Sequence, residues 1–183
     1  MELYVARHGE TDYNAQGRYL TFTDAPLNEN GFSQTLSLAI SLSSYKIDVV
    51  VSSPMLRAKQ TAEIICSALN IEYYVYDQLT ERSVGVFEGL TREEAKNRYP
   101  DLWEKQCTKK TDDAPDGGET LRQGCNRVDR VIKQIHDKYK NDSVLVVCHG
   151  FVSQAIHRYC KGLSFEEMLH FSLGNCEFAK YSL

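Results

Sequence analysis

The sequence predicts an α/β domain built on a mostly parallel sheet. Two observations carry this. Short β-rich apolar runs alternate along the chain with longer stripes of helical period, and strands separated by helical crossovers form layered α/β domains. The length of 183 residues suits one domain that can bury a full core without disulfide or metal staples.

Leu3 to Ala6 reads as the first strand. Arg7 to Glu29 follows as a long polar loop, a feature that in a compact domain is usually functional. Gly31 to Ser43 reads as a helix with Leu36, Ala39, Ile40 and Leu42 as its apolar positions, and Asp48 to Ser52 as a second, buried strand. Ser53-Pro54 has the form of a helix start, with Ser53 as N-cap and Pro54 in the first helical position. Ala58, Ala62, Ile65 and Leu69 then supply one apolar face.

Ile71 to Tyr76 is a third strand. Thr91-Arg92-Glu93-Glu94 is a capping box that opens a short helix ended by Pro100. Lys109 to Gly118, rich in Asp, Pro and Gly, reads as a surface loop. Leu121, Cys125, Val128, Ile132, Ile135 and Tyr139 mark the cleanest helical period in the chain. Ser143 to Cys148 is a buried strand, followed by a helix through about Cys160. Ser164 to Glu167 caps a last short helix, and Cys176 to Tyr181 is the final strand.

Composition excludes several classes. The chain has 21 Lys plus Arg against 25 Asp plus Glu, a formal charge of −4, which argues against nucleic acid or an anionic membrane as partner. No apolar run approaches the ~20 residues needed to span a bilayer. The first residues reach Arg7 and His8 too soon for a signal peptide. The six cysteines form no CxxC pair and read as buried free thiols of a reducing, cytoplasmic setting.

In open sheets, ligands bind beyond the carboxyl ends of the strands. Three segments fall there: Arg7-His8-Gly9, Ser52 to Arg57, and His149-Gly150. Two independent strand-to-His-Gly junctions in one small domain point to a site. An arginine beside such a histidine suits phosphate oxygens, and Gly9 allows close approach of a ligand to the backbone. His136, His157 and His170 lie in helices or at helix ends and read as solvated or packing residues. Taken alone, Glu81 reads as a surface ion-pair partner of Arg82, and Arg57 as a helix-surface charge.

Several segments then recur in a fixed order over nearly the whole chain. They are Arg7-His8-Gly9-Glu10-Thr11 with Asn14; Gly17-Arg18; Asp24-Ala25-Pro26-Leu27; Ser52 to Ala58 with Thr61-Ala62; Leu79-Thr80-Glu81-Arg82 with Gly85 and Glu88-Gly89; Gly117-Gly118-Glu119-Thr120; and His149-Gly150. This ordered set resembles the histidine phosphatase superfamily. The resemblance implies a three-layer α/β/α sandwich of the phosphoglycerate-mutase-like fold over residues 1–183, with a small cap from about 84–118.

It also implies roles. His8 would be the nucleophile and Glu81 the general acid and base. Arg7, Asn14, Arg57, His149 and Gly150 would surround the phosphoryl group, with His149 counted among the catalytic residues. Glu88 would be structural. Two arginines leave no need for a metal or other cofactor. The segment Tyr19-Leu20-Thr21-Phe22 departs from the Gln-Gly found in many members, and Thr21 and Phe22 would contact substrate there. Tyr13, Tyr19, Phe22, Val84, Phe87 and Trp103 are candidates for an aromatic rim.

The implied activity is hydrolysis of a small-molecule phosphomonoester, in a branch similar to bacterial α-ribazole phosphatases. A cofactor-dependent phosphoglycerate mutase is the alternative enzyme, although 183 residues leave little room for segments that close over a pocket. A non-catalytic phospho-ligand binding protein is the alternative of another class, and it predicts loss of residues that this chain retains.

Overall fold

The computed structural model describes residues Met1–Leu183. Five strands and seven α-helices follow in the order β1 (Glu2–Arg7), α1 (Asp12–Ala15), α2 (Glu29–Leu42), β2 (Val49–Ser52), α3 (Leu56–Leu69), β3 (Tyr73–Val75), α4 (Arg92–Arg98), α5 (Pro100–Glu104), α6 (Leu121–Lys138), β4 (Ser143–Cys148), α7 (Gly150–Lys161) and β5 (Phe178–Ser182). The strands form one sheet in the order β3-β2-β4-β1-β5. All neighbours are parallel except the β1–β5 pair.

Alternation along the strands sends successive side chains to opposite faces. Leu3, Val5, Val144, Val146 and Cys148 pack with residues of α6 and α7 on one side. Tyr4, Ala6, Val50, Leu145 and Val147 pack with residues of α2 and α3 on the other. The result is the expected three-layer sandwich. The register places Arg7 beside Cys148 and Ser52 beside Val147. The carboxyl ends of β1, β4 and β2 therefore stop level, and the residues that follow them meet at one edge.

Several elements differ from the sequence reading. Helix α3 starts at Leu56 with Met55 at the cap position and no side-chain cap. Ser53 is not its cap. The Asp24 carboxylate, reaching in from the first loop, accepts the Leu56 N–H at 2.6 Å, so one of the free donors of the first turn is met from outside.

On α2, Leu36 and Ile40 are 56% and 73% exposed. The inward face is Gly31, Thr35, Leu38, Ala39 and Leu42. The helix is turned this way because Gly31 lies against the first loop: a Cβ there would stand 2.1 Å from the Glu10 carbonyl oxygen.

The polar loop after β1 contains α1, whose N-terminus is a capping box between Thr11 and Asn14. The third strand shrinks to three residues at the sheet edge. Pro100 ends one helix and opens the next. Residues Thr91 and Glu94 form the expected capping box.

Residues 84–118 hold a cluster of their own: Val84, Phe87, Ala95 and Cys107 are buried, with Leu102 and Trp103 packed against them. All six cysteines are free, and Cys160 and Cys176 are only half-buried. No helix is long and apolar enough to cross a membrane.

Candidate active site

His8 follows β1 and is buried. Its Nδ1 lies 2.7 Å from the Gly9 carbonyl oxygen. A carbonyl only accepts, so Nδ1 carries the proton. Nε2 of the neutral ring is then an unprotonated lone pair with no protein partner. Burial pushes the His8 pKa well below the ordinary histidine value, and the nearby Arg57 and Arg7 guanidinium groups add to the effect. Gly9 is held by Thr61 Oγ1. Its Cβ, if present, would stand 2.6 Å from the Gly31 carbonyl oxygen, so only glycine fits.

His149 follows β4, and its ring centroid is 5.1 Å from that of His8. Burial first, then Arg57, His8 and Arg7, also hold its pKa well down. Its Nε2 lies 2.7 Å from Ser53 Oγ. That oxygen also accepts the Met55 N–H at 3.3 Å. The Ser53 O–H has no other acceptor in the protein, so its donating to His149 Nε2 satisfies both groups and places the ring proton on Nδ1. Nδ1 is buried without a protein partner, a donor left for an anion.

Two guanidinium groups complete the charge. Arg57 is 0% exposed; it donates to the Thr21 and Thr23 carbonyl oxygens at 3.0 and 3.1 Å. Arg7 donates to the Leu173 carbonyl at 3.0 Å. The Nε of each is buried and unpaired. Burial lowers both pKa values, while Glu81 opposes the shift in each case, and a guanidinium remains charged regardless.

Glu81 is held by two backbone donors, Arg82 N–H on Oε1 at 2.8 Å and Phe151 N–H on Oε2 at 3.1 Å. It is not an ion-pair partner of the Arg82 side chain, which instead bonds the Glu119 and Thr108 carbonyls. Glu88 takes the Thr21 and Thr23 N–H groups and shapes the loop behind Arg57.

A cavity of about 760 Å³ opens over these groups. His8, Arg7, Asn14, Glu81, Gly150 and Thr21 line it, with Arg57 and His149 buried behind. Gly150 is the first residue of α7, so its N–H is one of the first-turn donors without an intrahelical partner.

Phe22 is not brought into this cavity. It is 64% exposed and lies on a separate depression with Asp77 and Glu119, which shares Glu81 with the first. Thr21 turns its hydroxyl inward to the Arg82 carbonyl. Of the rim candidates only Tyr19 and the aliphatic Val84 face the cavity, and Phe87 is buried in the 84–118 cluster.

The sequence reading missed Ser53 as a partner of His149, and it missed Arg92, Lys109, Gln154 and His170 on the cavity wall. The position of Ser53 in the strand-end segment was a usable signal for the first. Nothing local marks the others.

The model of the histidine phosphatase superfamily (branch 1) matches residues 3–183. The chain belongs to the histidine phosphatase superfamily. Among its relatives in that superfamily is phosphoserine phosphatase 1 of Hydrogenobacter thermophilus, 32% identical over 183 residues, which covers 100% of this chain and 85% of that protein. The metal-independent phosphoserine phosphatase of Arabidopsis thaliana is 35% identical over 159 residues, covering 85% of this chain and 67% of that protein. Among solved structures, an alpha-ribazole phosphatase from Shigella flexneri superimposes with a TM-score of 0.89 at 25% identity, covering 98% of this chain and 89% of that one. Phosphatase chemistry is the activity class that these superfamily relatives support.

Proposed function

We propose that the chain hydrolyses a small phosphomonoester through a phosphohistidine on His8. The observation that carries this reading is the His8 ring, fixed by Gly9 as the Nδ1–H tautomer and kept neutral by burial beside two arginines. In the first step Nε2 attacks phosphorus, the N–P bond forms and the P–O ester bond breaks. The electron pair leaves on the alkoxide oxygen, which takes a proton from the Glu81 carboxyl. In the second step Glu81 as carboxylate takes a proton from water. The water oxygen bonds to phosphorus, the N–P bond breaks, and phosphate departs.

Arg7, Arg57, the Asn14 amide, His149 Nδ1–H and Gly150 N–H meet the phosphoryl oxygens. Charge stabilisation of this kind dominates phosphoryl transfer. Two fixed guanidinium charges supply it, so the reading requires no metal ion. His8→Ala should abolish turnover together with an acid-labile, alkali-stable phosphoenzyme. Full activity in that variant would sink the reading.

The cavity wall narrows the substrate. Arg18 is paired with Glu94, but Arg92 and Lys109 face the cavity without an acidic partner. Two free cations beyond the phosphoryl site suit a leaving group with its own negative charge, a carboxylate above all. The phosphoserine phosphatase relatives agree with that chemistry. A phosphate-release panel checks it: phosphoserine and phosphoglycerates should outrun α-ribazole phosphate and neutral sugar phosphates. Transfer to a second hydroxyl of phosphoglycerate at a rate comparable with hydrolysis would favour the mutase alternative.

A further inference from the structure

One residue that the proposed chemistry does not use reaches into the site from the far end of the chain. Between α7 and β5 the segment Leu173–Glu177 runs behind the loop that carries His8. Arg7 donates its N–H to the Glu177 carbonyl at 3.1 Å, and its carbonyl accepts the Cys176 N–H at 3.1 Å. Its guanidinium bonds the Leu173 carbonyl. In the middle, the Asn175 side-chain amide donates to the His8 carbonyl oxygen at 2.9 Å and to Asn14 Oδ1 at 3.3 Å. Cys176 adopts a left-handed backbone with φ of 58°. A β-carbon makes that conformation costly, and such strain persists where its surroundings over-determine it.

The orientation of both amides follows from their backbone partners. The His8 carbonyl only accepts, so the Asn175 atom facing it is Nδ2. Asn14 Oδ1 also accepts the Thr11 N–H at 3.1 Å, and a backbone N–H only donates, so the Asn14 oxygen faces away from the cavity. Asn14 Oδ1 thus gathers Thr11 N–H, Thr11 O–H at 3.1 Å and Asn175 Nδ2. The Asn14 Nδ2 group makes no hydrogen bond within the protein, and Asn14 lines the cavity with His8.

We infer that Asn175 is a positioning residue: by saturating Asn14 Oδ1 and tethering the His8 carbonyl, it aims the Asn14 amide donor at the phosphoryl oxygens. The inference rests on the phosphohistidine reading. A flipped Asn14 would present an oxygen to a dianion, replacing attraction by repulsion. A hydrogen bond to a charged group is worth about 1.5–3 kcal/mol, so its loss corresponds to roughly a 10- to 150-fold weaker hold on the anion.

The test is a double-mutant cycle on the full chain with p-nitrophenyl phosphate as substrate and orthovanadate as inhibitor. Asn14→Ala and Asn175→Ala should each raise the vanadate inhibition constant about 10-fold or more, and the double variant should be no worse than Asn14→Ala alone. Asn175→Asp, which keeps the shape but presents only acceptors, should raise it further than Asn175→Ala. Effects that multiply in the double variant, or an unchanged inhibition constant in Asn175→Asp, overturn the inference and leave Asn175 a scaffold residue. An unchanged constant in Asn14→Ala likewise overturns the inference, whereas an active His8→Ala counts against the phosphohistidine reading instead. Should Asn175 variants fail to fold, the native protein still decides. Both Asn175 amide protons should be held in hydrogen bonds by NMR, and the Asn14 amide protons should shift on adding vanadate. A freely rotating Asn175 amide overturns the inference.

Discussion

His8 and His149 are two neutral imidazoles placed where positive charge already exceeds what burial tolerates. The unfolded chain binds protons on both rings near the ordinary value of about 6.5, whereas the folded chain does so only at much lower pH. Their contribution to stability is therefore complete above pH 6.5 and is lost as pH falls towards the folded-state values. The slope approaches about 1.4 kcal/mol per pH unit for each ring. Denaturant midpoints measured at neutral and mildly acidic pH should show this loss, and His8→Asn should reduce it. A flat profile in the native protein would show that the rings are not held neutral. Glu81→Gln tests the proposed acid. It removes the proton that an alkoxide needs, so phosphoenzyme formation from an alkyl ester should slow by about 10²–10⁴-fold and from an ester with a good leaving group much less, while the second step, which needs Glu81 as base, slows alike for both. Equal losses in phosphoenzyme formation on alkyl and aryl esters would remove Glu81 from the acid role. The sequence was most informative where a residue follows a strand directly, as His8 and His149 show; Arg57, which alone reads as a helix-surface charge, came only with the ordered set of segments. The sequence was blind to Ser53's partner and to Asn175, because those contacts join residues 96 and 167 positions apart.

Elements were legible where burial decides them and less so where loops do. The central strands β1, β2 and β4 and the long helix α6 follow their apolar periods to within a residue or two. Helix α2 kept its span but turned its face, because the close approach at Gly31 outweighs exposing Leu36 and Ile40. The three-residue edge strand β3 has only one sheet neighbour, and its sequence pattern overstates its length. Residues 84–118 carried no strong period, yet Phe87 anchors a cluster that presents Val84 and Arg92 to the cavity. We propose that this segment serves as the cap over the site. Phe87→Ala should then cost about 3–5 kcal/mol of packing. Hydrogen exchange should show the loosening confined to 84–118, and KM should rise while phosphoenzyme formation at saturation changes little. Loosening that spreads evenly through the sheet would show that the segment is not a separable cap.

The whole molecule carries a formal charge of −4 and yet lines one cavity with Arg7, Arg92 and Lys109, with Arg57 buried behind them. The net charge repels anions at long range, and the cavity attracts them at short range. Screening lengths shrink from about 30 Å at 0.01 M salt to about 8 Å at 0.15 M, so the two effects respond differently to salt. If Arg92 and Lys109 hold a leaving-group carboxylate, Arg92→Gln and Lys109→Gln should each lower kcat/KM for phosphoserine about 10-fold, as expected for loss of a charge-assisted hydrogen bond. Turnover of p-nitrophenyl phosphate, which lacks the carboxylate, should change little. Lys133→Gln provides the control, because Lys133 pairs with Asp137 on the exposed face of α6 and its loss changes the net charge by the same amount without touching the cavity. A matching loss in Lys133→Gln would assign the effect to net charge. Equal losses on both substrates in the cavity variants would place Arg92 and Lys109 on the phosphoryl group rather than on the leaving group. A selective loss on phosphoserine, reduced at high salt, fits only a local anion subsite set inside an acidic protein.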